Sequence, residues 1–465
     1  MSERAGDTPR AGFSVCDCDR YAEHLADIGV RRRKVLARED VRNEFGVLLL
    51  ARGEPLGRFA FARMRGHRLN RPVDEALAMQ RCLDAAALAG RMRELLDSAP
   101  DLRRIAAAAA FAPRLEALCE SAALGPALLQ KLSVLEEVLP AVFRRALFSA
   151  CFGVLLAGER RLDAADARLL FQAGLLHDLG LLHIDPALAA PGNAVAPDDW
   201  PEIQRHVPIG AAIAERLAAA PARLARVIRE HHERADGSGY PAGPCAGDID
   251  PLARILALCD MLHALRFDGA DIGTLADCMP YLSVNRHVFG EQNCRAAARL
   301  LAAARDAAPG GAPQRLQRQL LLDTNRSLVA LRGSFATLRA LLGQFPAAPL
   351  PASVERLVAQ FEQVSDASGL GVEAFAAALG AGIDADSGEA GLAEIRRTAH
   401  ELFWLVRRIE RQLRALAGAT AAGASQRMLR ELAHGVEFEL RRAWQHVDVQ
   451  ARPAPRRLDR HGAPR

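Results

Sequence analysis

Apolar residues recur along most of this chain at spacings of three and four, the period that turns one face of a helix toward a core. From about residue 78 to 305 these Ala- and Leu-rich segments are broken by Pro and Gly, which predicts an all-α domain. The first 77 residues read differently. Short runs at 31–36 and 47–51, the second closed by Gly53 and Pro55, predict strands, with a helix near 59–67. Pro309, Gly310, Gly311, Ala312 and Pro313 form a linker signal, and the helical pattern then resumes. Leu328, Leu331, Phe335, Leu338 and Leu342 form one seam, and Ile395, Ala399, Leu402, Val406, Ile409, Leu413 and Leu416 a second. Such seams bury against partner helices, so 314–465 is expected to be a four-helix bundle or helical hairpins serving output or dimerisation. The expected fold class is mainly α: a small α+β module over 1–77, an all-α domain over 78–308 and the helical bundle over 314–465.

Composition narrows the function classes. The chain has 465 residues, half of them hydrophobic, and a net charge of +4. That balance argues against a polybasic nucleic-acid binder, whose affinity rests on neutralising many phosphates. Nearly all the positive charge is Arg, with Lys34 and Lys131 the two lysines, a bias expected of a GC-rich bacterial genome. The N-terminus is charged without an apolar core, and the apolar run 146–158 is shorter than the roughly 18 residues of a membrane span. A cytoplasmic protein without a membrane span is therefore expected. Nine cysteines without disulfide-scaffold spacing fit reduced thiols, Cys16 and Cys18 included.

The chemistry is concentrated between residues 177 and 260. His177 and Asp178 are adjacent, His206 follows 29 residues after His177, the pair His231 and His232 begins 25 residues later, and Asp260 lies 28 beyond His232. A single histidine at a helix end is most often a cap or a surface group. Six ligand-type side chains grouped at expected helix ends point instead to a metal site, and mixed imidazole and carboxylate donors suit Fe, Mn, Zn or Ni better than Ca.

Residues 231–241, His-His-Glu-Arg-Ala-Asp-Gly-Ser-Gly-Tyr-Pro, match the signature HHExxDGxGYP without a gap. The chain resembles the HD-GYP family of the HD superfamily of metal-dependent phosphohydrolases. Leu-Leu-His-Asp-Leu-Gly at 175–180, His-Val-Pro-Ile-Gly at 206–210 and the segment 252–260 resemble the other family motifs, in the family order. The resemblance implies a divalent transition-metal centre of one or two ions that hydrolyses cyclic di-GMP or a related nucleotide. Asp178 would bridge two metals, with His177 and Asp260 on one and His206, His231 and His232 on the other. Asp178 and Arg254 would be the catalytic groups, Arg254 facing substrate phosphate. The Gly-Tyr-Pro segment, Tyr240 above all, would offer a surface to a GGDEF-type protein partner.

Three departures stand out. Where the family has a histidine ligand to the first metal, this chain has Arg145, and a guanidinium cannot ligate. Leu181 replaces the lysine of the HDxGK pattern, and the basic stretch after the closing helix is missing. His183 and His263 are candidates to compensate, although both read better as satisfied polar residues. Two functions follow: a cyclic di-GMP phosphodiesterase weakened at one metal, or a catalytically impaired signalling scaffold or nucleotide receptor. Outside this domain, His400 in Thr-Ala-His-Glu-Leu resembles a phosphotransfer motif but reads better as a surface residue. Glu431 and His434 make an isolated ExxH, too little for a di-iron site.

Overall fold

The computed structural model describes residues 20–189, 199–218, 221–235, 239–243, 249–268, 274–302 and shorter runs between 322 and 437. The chain divides into two compact units, Met1–His263 and Ala264–Arg465.

The first unit opens with helix α1 (Arg20–Arg31), which turn signals alone do not predict. Tyr21, Leu25 and Ile28 are spaced by four and three and are buried, so a helical apolar face precedes the run read as a strand. The strands begin later, with β1 (Val35–Ala37), β2 (Val41–Arg42) and β3 (Leu48–Leu50), then helices α2 (Arg58–Met64) and α3 (Val73–Ala76) and strand β4 (Leu77–Met79). β1 pairs antiparallel with β4 and β2 with β3, as two separate two-stranded sheets.

Helices then follow one another: α4 (Ala85–Ser98), α5 (Pro100–Ala108), α6 (Leu115–Ser121), α7 (Pro126–Val138), α8 (Pro140–Glu159), α9 (Ala164–Leu176), α10 (Pro186–Ala189), α11 (Trp200–Gln204), α12 (His206–Leu217), α13 (Pro221–Glu230) and α14 (Pro251–His263). The sequence marks several of the starts. Asp84 caps α4 by accepting from the Ala87 amide (2.7 Å), and Asp163 caps α9 by accepting from Asp166 (2.8 Å). Prolines open α7 and α8, where a missing N–H costs nothing. α8 extends beyond its apolar run and, among the described residues, is the one helix long and apolar enough to cross a membrane. Most of it is buried against α9 and α14, so it is the core helix of this unit.

The polar face of α7 joins the strand-containing module to the helices. Gln130 Oε1 accepts from the Met79 amide (2.9 Å) and Ser133 Oγ from the Leu83 amide (2.7 Å). Lys131, between them, is fully buried. Its Nζ lies 2.9 Å from Asp74 Oδ1, 3.6 Å from the centre of the Tyr21 ring and 3.3 Å from His183 Nε2. Arg216 of α12 holds the other Asp74 oxygen at 2.6 Å. Removing one partner of a buried pair strands the other charge, so Asp74→Ala is expected to cost about 3–5 kcal/mol of stability. The double replacement with Lys131→Met should recover most of that loss in a urea-unfolding cycle. A single-variant loss within the range of an exposed pair would contradict this account.

In the second unit, α15 (Met279–Val284), α16 (Arg286–Phe289) and α17 (Glu291–Ala302) pack on one another, and α18 (Ala352–Ser368) is the longest helix described here. Leu328, Leu331 and Phe335 of the first expected seam share one buried cluster with Leu402, Val406, Ile409 and Leu413 of the second. Val354, Leu357, Val358 and Phe361 of α18 complete it, with the Phe335 and Phe361 rings edge to face at 5.2 Å. Leu338, Leu342, Ile395, Ala399, Leu416, His400, the 309–313 linker and Cys16 and Cys18 lie outside the described residues. Glu431 and His434 are both exposed.

Candidate metal centre

Three helix ends and one helix interior supply the six expected ligand side chains. His177 is the residue after α9, and Asp178 opens the 3-10 turn Leu179–His183. His206 starts α12 directly after α11, His231 and His232 follow α13, and Asp260 is within α14. Two glycines permit the closeness. A Cβ on Gly180 would lie 2.0 Å from the His206 carbonyl oxygen, and one on Gly210 would lie 3.0 Å from the His177 carbonyl oxygen. The glycines of 175–180 and 206–210 therefore let the turn after His177 and the start of α12 meet backbone to backbone.

Three imidazoles are oriented in the same way. Nδ1 donates to the carbonyl three residues back in the last turn of the preceding helix: His177 to Gly174 (2.9 Å), His206 to Ile203 (2.6 Å) and His231 to Ile228 (2.6 Å). Last-turn carbonyls need such donors. A carbonyl can only accept, so Nδ1 carries a proton and Nε2 faces inward, the arrangement that orients metal-binding histidines. The Nε2 atoms of His177, His206 and His231 are buried without a hydrogen-bond partner, as is Asp260 Oδ1. Buried polar atoms rarely stay unsatisfied.

The donor atoms fall into two groups, each within 4.8 Å of one another: Asp178 with His206, His231 and His232, and His177 with Asp178 and Asp260. Asp178 belongs to both. Its Oδ1 lies 3.5 Å from His206 Nε2, and its Oδ2 lies 3.4 Å from His177 Nε2. The His231 and His232 rings are 4.0 Å apart, and His206 lies 5.1 Å from His232. Burial, with repulsion from His177 and His206, pushes His231 down to about 3. Burial likewise lowers His206 and His232. Neutral imidazoles are what a metal needs.

The other group is electrostatically different. Burial opposes charge on His177, but Asp178 and Asp260 overcome it and raise the imidazole to about 10. Asp260 falls to about 2: burial disfavours its charge, and His177 and Arg145 more than compensate. Arg145 of α8 points into this group, its Nη1 3.3 Å from Asp178 Oδ2 and its Nε 3.7 Å from Asp260 Oδ1. A tetrad of one carboxylate and three inward-facing imidazoles fits a divalent transition metal. Three donors, two of them carboxylates already paired with a guanidinium, fit one poorly.

The remaining candidates are placed as follows. His183 contacts Lys131 and the Tyr21 ring (5.5 Å), and His263 packs edge-on against Phe148 (5.4 Å), so neither joins a donor group. Leu181 is buried. Arg254 is on α14, about 9 Å along the axis from Asp260, and its Nε is buried without a hydrogen-bond partner. Tyr240 stacks on His232 with ring centres 4.6 Å apart. Glu233, given no role from sequence, is buried and accepts from the Ala242 (2.7 Å) and Gly243 (2.9 Å) amides, which fastens the segment carrying Tyr240 to the histidine pair. Its place inside the signature was the available signal, but its partners are backbone groups that sequence does not name.

Residues 133–279 match the family model described as HD domain. A cyclic di-GMP phosphodiesterase of Pseudomonas aeruginosa is 36% identical over 122 residues, 26% of this chain and 29% of the relative. A 3'3'-cGAMP-specific phosphodiesterase of Vibrio cholerae is 32% identical over 116 residues, 25% of each chain. A cyclic di-GMP phosphodiesterase response regulator of Xanthomonas campestris is 38% identical over 117 residues, 24% of this chain and 30% of the relative. This chain thus spans under a third of these relatives' lengths. Among solved structures, an HDG"Y"P protein from Bdellovibrio bacteriovorus aligns at 15% identity and a TM-score of 0.33, over 58% of this chain and 94% of that one. Residues 133–279 are thus an HD domain, and the ungapped 231–241 segment gives it the HD-GYP signature.

Proposed function

We propose that the protein is a metal-dependent phosphodiesterase whose substrate is cyclic di-GMP. The observation that carries this reading is the tetrad of Asp178, His206, His231 and His232, in which three neutral imidazoles, two with tautomers fixed by helix-end carbonyls, converge beside one carboxylate. A divalent ion held there would supply hydroxide near neutral pH and neutralise charge on the phosphoryl oxygens. The protein's own groups do the rest. The helix-end carbonyls hold His206 and His231 in register, Asp178 balances the cation, and Arg254 offers a guanidinium suited to the scissile phosphodiester. The relatives named for cyclic di-GMP or 3'3'-cGAMP support a cyclic dinucleotide as the substrate class.

A second reading, a catalytically impaired scaffold or nucleotide receptor, is favoured by Arg145 among the ligand carboxylates and by the apolar Leu181. One sample decides between them: purified protein assayed for metal content, cyclic di-GMP binding and cyclic di-GMP hydrolysis. Hydrolysis that stops on chelation, returns with Mn or Fe and is lost in His231→Ala is the expected result. Metal-loaded protein that binds the dinucleotide without cleaving it supports the receptor, and protein that neither binds nor cleaves it rejects both readings.

A further inference from the structure

We infer that the Arg145 guanidinium is the resident cation of the His177, Asp178 and Asp260 group, so that the protein holds one metal ion where its two donor groups suggest two. The inference rests on the reading of the histidine tetrad as a metal site. It is carried by which atoms Arg145 touches. Asp178 Oδ2 and Asp260 Oδ1 are the two oxygens that face His177 Nε2, at 3.4 and 3.7 Å, and the same two oxygens take Arg145 Nη1 and Nε at 3.3 and 3.7 Å. The oxygens on which an ion would sit in this group already share one permanent positive charge.

That charge cannot be removed by titration, because arginine stays protonated at any pH the fold tolerates. Its Nη1 donates to Asp178 Oδ2 and its Nε lies within ion-pair distance of Asp260 Oδ1, so an incoming ion must displace it as well as dehydrate. Displacement is sterically opposed, since Arg145 springs from α8, the core helix, and its side chain is only 20% exposed. The tetrad escapes this competition. It uses Asp178 Oδ1, on the far side of the carboxylate from the oxygen that Arg145 holds. Asp178 thus turns one oxygen to the arginine and the other to the histidines, and the guanidinium stands where a second metal would otherwise bridge. Arg145 has a positive role in this arrangement: it sets one positive charge between the Asp178 and Asp260 carboxylates.

The test is metal stoichiometry of the full chain under saturating Mn, read by elemental analysis and by electron paramagnetic resonance, with Arg145→His, Arg145→Ala, His231→Ala and the Arg145→His/His231→Ala double variant. Wild type should carry one ion per chain with an uncoupled Mn spectrum. Arg145→His and Arg145→Ala should each gain one ion, with the exchange-coupled signature of a Mn pair. The double variant should keep one ion, held by the group that the arginine vacated. A wild-type chain with two coupled ions overturns the inference, as does an Arg145→His or Arg145→Ala variant that gains none. The function reading fails separately: wild type with no ion, or His231→Ala that keeps its ion, rejects the tetrad while the gain on replacing Arg145 still decides the role of the arginine.

Discussion

Asp178→Asn is expected to leave the protein without bound metal and without measurable cyclic di-GMP hydrolysis, while far-UV circular dichroism stays helical. Asparagine fills nearly the same volume, so packing is spared and the change is one of charge. The carboxylate is the only anion in the tetrad, where it faces His206 at 3.5 Å and would balance an ion otherwise surrounded by neutral imidazoles. Loss of partners outside the ligand sphere typically lowers metal affinity by about 10–100-fold, and loss of an anionic ligand exceeds that. The same substitution removes an acceptor of Arg145 and leaves His177 with Asp260 alone. An Asp178→Asn protein that retains a full equivalent of metal after dialysis would show that Asp178 is structural and that the histidines suffice.

Gly180→Ala is expected to be the most destabilising single-methyl change in the domain. The added carbon would stand 2.0 Å from the His206 carbonyl oxygen, 2.7 Å from its carbon and 2.8 Å from its Cα. All three are main-chain atoms, so no rotamer change relieves the overlap. α12 must move, and His206 moves with it. A loss above about 4 kcal/mol, a size reserved for changes of this kind, is expected in urea unfolding of the metal-free protein. Metal affinity should fall in parallel because His206 is displaced from the tetrad. A variant within about 1 kcal/mol of wild type would mean that the turn after His177 and α12 are not in the contact described.

The candidate site was legible because its ligands occur in short local words. His177 with Asp178 and His231 with His232 are adjacent in sequence, and the helix ends that orient them announce themselves through Pro208 and the Asp-Gly-Ser-Gly turn. Arg145 was legible as a departure, but its ion pairs with Asp178 and Asp260 are not, because they span three helices. The all-helical character of the middle of the chain followed from periodicity, and so did the seams at Leu328 and Leu402. α1 was missed because the arginine-rich stretch at its end and the turns beyond it outweighed the spacing of Tyr21, Leu25 and Ile28. Lys131 was opaque for a different reason. In sequence it is one charge in an apolar helix, and the groups that make its burial tolerable, Asp74, Tyr21 and His183, come from remote segments.

The seating of Lys131 also bears on where this protein can be cut. A fragment begun at residue 78, the natural choice from the change in sequence pattern, would lose Tyr21 and Asp74 together and bare the Lys131 ammonium, and with it the Gln130 side-chain amide, which now donates to the Tyr21 hydroxyl and the Leu77 carbonyl. The N-terminal segment is therefore a wall of the unit that carries the candidate metal site. An excised core that precipitates or unfolds would report that missing wall, and its inactivity would say nothing about the chemistry of the site.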